Sequence, residues 1–188
     1  MAFIVVYDAC VLYPANVRDL LMEVAISDLV QAKWTSQIQE EWARSLRKDR
    51  PDIDQEGIAR TQALMNAAIP DVLVENYQPL ISSVELPDPD DRHVVAAAIR
   101  SGAQMIVTFN EKDFPSGLLD AWGVEAMHPD RFLEHQFGLH EAAVVACAKR
   151  IRARLKDPTM SVSEYLDRLA SCGLPVTADK LREFEALI

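Results

Sequence analysis

The chain has 188 residues, 49% of them hydrophobic, and a formal charge of −10. That length and apolar content suffice for one cored domain with a small appendage, and they exclude a disordered tail. The negative balance excludes attraction of nucleic acid by the overall field. A nucleic-acid substrate would need a local basic patch or bridging metal ions, whereas a basic protein partner suits such a chain.

Three scattered cysteines, Cys10, Cys147 and Cys172, have neither disulfide nor zinc spacing and fit small buried hydrophobes in a reducing compartment. Residues 1–7 lack the pattern of a secretion signal, and no apolar stretch reaches membrane-spanning length. The expected location is the cytoplasm, with no membrane partner.

Phe3 to Tyr7 is a short apolar, β-rich run ending at Asp8, which predicts a central strand of a parallel sheet. Asn16 is expected to cap a helix running to about Gln31, with Asp19 in its first turn. A second helix is expected from Thr35-Ser36, with Ser36 and Gln39 at capping-box spacing and Ile38, Trp42 and Leu46 as its apolar stripe. A third covers about Asp54 to Ala68. Val72 to Leu86 reads as a connecting strand or loop.

Asp88 is then expected to cap a helix with Pro89 at its first position, Asp91 in its first turn and Gly102 at its end. Gln104 to Phe109 predicts the next buried strand, followed by a short helix near Gly117–Trp122 and a brief strand near Val124–Ala126. This alternation predicts an α/β sandwich with a parallel sheet. Beyond about Phe137 the character becomes helical. The expected helices are His140 to Leu155, stopped by Pro158, a second opened by a Ser161–Glu164 capping box, and a third over about Ala178 to Leu187.

In an open parallel sheet, ligands sit beyond the carboxyl ends of the strands. Asp8 ends the first strand, Asn110 and Asp113 follow a later one, Asp91 starts a helix, and Glu41 can approach from a neighbouring helix. Taken singly, each has a plainer reading. Asp8 can cap the next turn, Asp88, Asp90 and Asp91 make an ordinary acidic helix start, and glutamates on helices are mostly solvated. Together they form an oxygen-rich set suited to a hard divalent cation, and so to metal-assisted phosphodiester hydrolysis. His93, two residues after Asp91, is expected to point away from it in a packing or surface role. His128, His135 and His140 have no metal-binding spacing. Trp34, Trp42 and Trp122 are expected to anchor core or interface.

Four segments carry a family resemblance: VVYDACVLYP (5–14), SQIQEEWARSL (36–46), DPDDRHVVAAAIRSGAQMIVTFNEKDFP (88–115) and GVEAMHPDRFL (123–133). The chain resembles PIN domains, specifically the VapC-type ribonuclease toxins. The resemblance covers residues 1–135, and the helical tail, residues 136–188, is similar to the C-terminal extension of some of these toxins. It implies a three-layer α/β/α sandwich with a central parallel sheet, plus a C-terminal helical extension.

It further implies an endoribonuclease that binds Mg²⁺, with Mn²⁺ as substitute, and cuts RNA, transfer or ribosomal RNA being the expected class of target. By motif, the catalytic acids fall on Asp8, Glu41 (with neighbouring Glu40 left open), Asp91 and Asp113, and the metal ligands on Asp8, Asp91 and Asp113. Many members carry an aspartate where this chain has Asn110, which keeps an oxygen but loses a charge. On the substrate side stand Arg44 and Arg92 as phosphate contacts, Thr108, whose hydroxyl can orient a carboxylate or a water, and Asn110. The implied partners are a cognate basic antitoxin and a second copy in a homodimer. The competing readings are a metal-dependent DNA nuclease or phosphohydrolase, and a non-catalytic PIN-fold binding module.

Overall fold

The computed structural model describes residues 3–156 and 159–188. Pro158, expected to stop a helix, lies outside the described residues. Among the described residues four parallel strands form one sheet: β1 (Ile4–Tyr7), β2 (Gln31–Lys33), β3 (Met105–Val107) and β4 (Glu125–Met127), in the order β2–β1–β3–β4. Val5, Val6, Tyr7, Ile106 and Val107 are fully buried, as expected where side chains on both faces of a strand meet covering helices.

The strand order makes β1 and β3 the centre. The chain steps from β1 outward to β2, then returns to the other side of β1 for β3 and β4. Right-handed crossovers in these opposite directions put the connections on opposite faces, and a switch point opens between the ends of β1 and β3. The register pairs Val6 with Ile106 and Tyr7 with Val107, so the next residues, Asp8 and Thr108, emerge side by side.

The helices are α1 (Ala9–Leu12), α2 (Ala15–Ile26), α3 (Ser36–Asp49), α4 (Gln55–Ala68), α5 (Arg92–Ser101), α6 (Ser116–Leu119), α7 (Pro129–Arg154), α8 (Val162–Ser171) and α9 (Pro175–Arg182). Three local expectations are corrected. Pro14, not Asn16, occupies the N-cap of α2, and that helix ends at Ile26. Gln31–Lys33 is a strand, an outcome hidden by its polar residues; Lys33 is nevertheless buried, and its ammonium donates to the Asp71 carbonyl. The cap of α3 is Thr35, whose hydroxyl accepts from the Ile38 N–H at 3.0 Å, and the Ser36–Gln39 box does not form. Gly102 ends α5 in the left-handed region at φ 68°, which costs a residue without Cβ little. Leu73 bridges to Trp34, and a short 3₁₀ segment covers Gln78–Ser83.

The C-terminal helices share the core. Val144, Cys147, Ala148, Ile151, Tyr165, Leu166 and Leu181 belong to the same buried cluster as the strand residues. α7 is continuous across residue 135 and bends at His140, whose φ of −143° is non-helical. Glu23 on α2, 2% exposed, meets Arg150 at 2.8 Å and also Arg154, both on α7. Asp130 accepts from the backbone N–H groups of Val176 (2.9 Å) and Thr177 (2.8 Å), which caps the start of α9 from a distant helix. The Ser161–Glu164 capping box forms and opens α8.

Candidate active site

Asp8 leaves β1 in an extended conformation and caps α1. Its Oδ1 accepts from the Ala9 N–H at 2.7 Å, while its Oδ2 accepts from the Thr108 hydroxyl at 2.7 Å and from the Cys10 thiol at 3.1 Å. The carboxylate is 5% exposed. Burial pushes its pKa up, the bonds from Thr108, Cys10 and Ala9 pull it back, and the nearby Glu41 charge pushes it up again. Cys10 is itself raised to about 12, first by burial and next by Asp8, so it sits there as a neutral thiol donor.

Asp91 ends a one-turn 3₁₀ segment, Pro89–Asp91, which Asp88 caps by accepting from the Asp90 N–H at 2.9 Å. α5 follows directly. Asp91 is raised to about 6, first by burial and then by the charges of Asp8, Asp88 and Asp113. Its half-buried carboxyl is therefore held among like charges, the condition a divalent cation relieves.

Glu41 projects from α3, beside the buried Trp42, with 26% of its side chain exposed. Glu40, the open alternative, is exposed and pairs with Arg47. Asn110 follows β3 and is exposed, and its backbone N–H donates to the Thr108 hydroxyl at 3.0 Å.

A cleft of about 380 Å³ gathers Asp8, Glu41, Arg44, Asp91 and Asn110, and Tyr13 and Asp49 also line it. Tyr13 donates to Asp49 at 2.9 Å. Asp113 does not line this cleft, although its charge reaches Asp91. Arg92 is half-buried and also stands outside the lining. Thr108 is fully buried; its hydroxyl donates to the Asp8 carboxylate and accepts from the Asn110 backbone N–H.

His93 is the residue that sequence reasoning placed elsewhere. It is 3% exposed, and its Nε2 lies 2.9 Å from Glu41 Oε1. Helical spacing gives no sign that α3 would bring Glu41 to it. Trp34 and Trp42 are buried, whereas Trp122 is 38% exposed. His128 caps α7 through Nδ1 and stands edge-on to Phe109.

Among the described residues no three acidic, histidine or cysteine side chains are gathered closely enough to cage a metal alone. Small hard cations do not need such a cage, because they bind through one or two carboxylates and keep several waters. The cleft's donors are hard oxygens; Asp8 is raised by burial and by the Glu41 charge, and Asp91 by burial and by the charges of Asp8, Asp88 and Asp113. The donor set fits a divalent ion.

Fold and cleft together define an α/β protein with a carboxylate centre at the switch point of a parallel sheet. A family model described as PIN domain matches residues 4–112, and one described as VapC50 C-terminal domain matches residues 129–183. The chain belongs to the PIN domain family. A protein of Mycobacterium tuberculosis (strain ATCC 25618 / H37Rv), named "Putative ribonuclease VapC50", is 40% identical over 92 residues, which are 49% of this chain and 54% of that protein. The chain thus spans about half the length of this curated relative. No solved structure matches. PIN-domain ribonucleases of the VapC type generally use divalent metal ions.

Proposed function

We propose that this protein is a Mg²⁺-dependent endoribonuclease, the toxin of a VapBC-type toxin–antitoxin pair acting on cytoplasmic RNA. The observation that supports it is the meeting of Asp8, Glu41, Asp91 and Asn110 in one cleft at the β1/β3 switch point. The 40% identity to a protein named as a ribonuclease supports the same reading.

When bound, Mg²⁺ (or Mn²⁺ in its place) acidifies a water and neutralises charge on phosphoryl oxygens. Asp8 and Asp91 would hold the ion, with Asp113 reaching it through water. Thr108 and Cys10 fix the aim of Asp8 by occupying its Oδ2. Glu41 orients the attacking water and accepts its proton. Arg44, the basic residue in the cleft lining, contacts the phosphate. Water oxygen bonds to phosphorus and the bond to the 3′ oxygen breaks, leaving a 5′-phosphate and a 3′-hydroxyl. Asn110 supplies a neutral oxygen, so the free protein would hold one ion rather than two.

Residues 1–135 act in this reading as the nuclease part and 136–188 as its helical extension. The acidic cleft also suits an arginine from a basic antitoxin, which would neutralise the same carboxylates. A homodimer belongs to the same reading. The test is end-mapping of total RNA treated with the protein in Mg²⁺ and in chelator. Metal-dependent breaks carrying 5′-phosphates support the proposal; intact RNA under both conditions refutes it.

A further inference from the structure

Glu41 is a long, flexible side chain at the edge of an open cleft, and the proposed reaction needs its carboxylate in one place. Two side chains meet it. Gln37, one turn earlier on α3, donates from Nε2 to Glu41 Oε1 at 3.3 Å, and Gln37 is itself met by the Tyr77 hydroxyl at 3.2 Å. His93, from α5, brings Nε2 to 2.9 Å of the same oxygen.

His93 has an uneven environment. Its side chain is 4% exposed, and its other ring nitrogen, Nδ1, is buried with no partner among the described residues. A nitrogen lone pair facing a carboxylate oxygen at this distance would repel it, so Nε2 presents a proton to Glu41. A buried polar atom without a partner is unfavourable. Were packing the only role of this position, an apolar side chain would serve better. Among the described residues the one polar contact of the imidazole is to Glu41.

The contact also spans the site. Glu41 comes from α3, whereas His93 lies two residues beyond Asp91, in the first turn of α5, whose N-cap is that acid. The imidazole therefore sets the separation of the water-orienting carboxylate from a metal-holding one. Misplacing a catalytic group by about 1 Å can lower a rate about 100-fold.

We infer that His93 is a positioning residue that holds the Glu41 carboxylate in its working orientation, an inference that rests on the ribonuclease reading above. His93→Leu keeps the volume without the donor. His93→Gln keeps an N–H donor that reaches close to the Nε2 position.

The experiment measures kcat and KM for cleavage of a single-stranded RNA in Mg²⁺ by wild type, H93L, H93Q, E41Q and E41Q/H93L. It is accompanied by thermal midpoints and the ring ¹⁵N signals of His93 in wild type and E41Q. H93L is expected to lower kcat about 10- to 100-fold with KM within about twofold, and H93Q to recover most of the loss. In the E41Q background H93L should add nothing. The wild-type ring should show a proton on Nε2, with its signals displaced in E41Q.

Wild-type kcat in H93L, or an equal loss from H93L with and without Glu41, overturns the inference. Should H93L not fold, the H93Q rates and the ring signals decide, and signals indifferent to E41Q overturn it. A wild-type protein that cleaves no RNA sinks the ribonuclease reading separately. In that case displaced ring signals still support the pair and unchanged ones remove it.

Discussion

The Thr108 hydroxyl donates to Asp8 Oδ2 at 2.7 Å and joins the ends of the two central strands. Neither residue is near the other in sequence; the parallel register of β1 with β3 places them side by side. The bond lies on a carboxylate that burial pushes toward neutrality, and it favours the charged form that a metal ligand requires. Thr108→Val, nearly isosteric, removes the donor and strands the Asn110 N–H. A stability loss of about 1–3 kcal/mol is predicted by denaturant titration. Weaker divalent binding should accompany it in calorimetry. Unchanged metal affinity would separate Thr108 from the site.

Asp91 gives a pH dependence with a definite sign. Its folded pKa is raised to about 6 from the ordinary 3.8, so the metal-free folded state binds more protons than the unfolded state between those values. The contribution to stability is full below the unfolded pKa and is lost as pH rises through about 6. Metal-free protein should therefore lose thermal stability across that interval, and Asp91→Asn should flatten this part of the profile. Divalent affinity should rise over the same range, because binding must expel the proton. A wild-type profile identical to that of D91N would show that Asp91 is not perturbed.

Asn110 lines the cleft with a neutral amide in place of the aspartate that the family resemblance leads one to expect in many members. Asn110→Asp is predicted to tighten Mn²⁺ binding about 3- to 10-fold in low salt and to lower the thermal midpoint without metal, since one more like charge then faces Asp8 and Asp91. Calorimetry and unfolding scans on the same samples check both signs. Tighter binding without apo destabilisation would place residue 110 away from the carboxylates.

The tail reaches the site through Gly173. A Cβ there would lie 2.9 Å from Phe109 Cε1, and the backbone sits at φ 93°. Phe109 directly precedes Asn110 in the loop after β3. Gly173→Ala should cost about 1–3 kcal/mol and lower cleavage activity by moving that loop. Equal stability and activity would mean that Phe109 yields freely.

Much of the arrangement was legible because burial and strand ends speak through composition. The apolar runs before Asp8 and before Thr108 marked the two central strands, and Asp8 and Asn110 beyond them line the cleft, whereas Asp113 does not. Gly102 announced the end of α5 by its backbone chemistry, whereas Asp88 and Pro89 open a 3₁₀ turn ahead of that helix instead of the helix itself. What stayed hidden depends on distant contacts. Gln31–Lys33 is a strand because β1 pairs with it, not because its residues prefer one. Asp130 looks like an ordinary first-turn acid of α7 until α9 is seen to rest on it. His93 reads as a packing residue on its own helix, since its partner, Glu41, is on another.

The central claim is that Asp8 anchors a metal used for RNA hydrolysis. Asp8→Asn is the sharpest probe, because the amide keeps the oxygen that caps α1 and replaces a carboxylate already disfavoured by burial, so the fold should persist. RNA cleavage rates for wild type and D8N, each with Mg²⁺ and with chelator, decide it. The account predicts cleavage by wild type with Mg²⁺ alone, and a D8N rate lower by about 1000-fold with an unchanged circular dichroism spectrum. A folded D8N that cuts RNA at the wild-type rate, or wild-type cleavage that survives chelation, would contradict it.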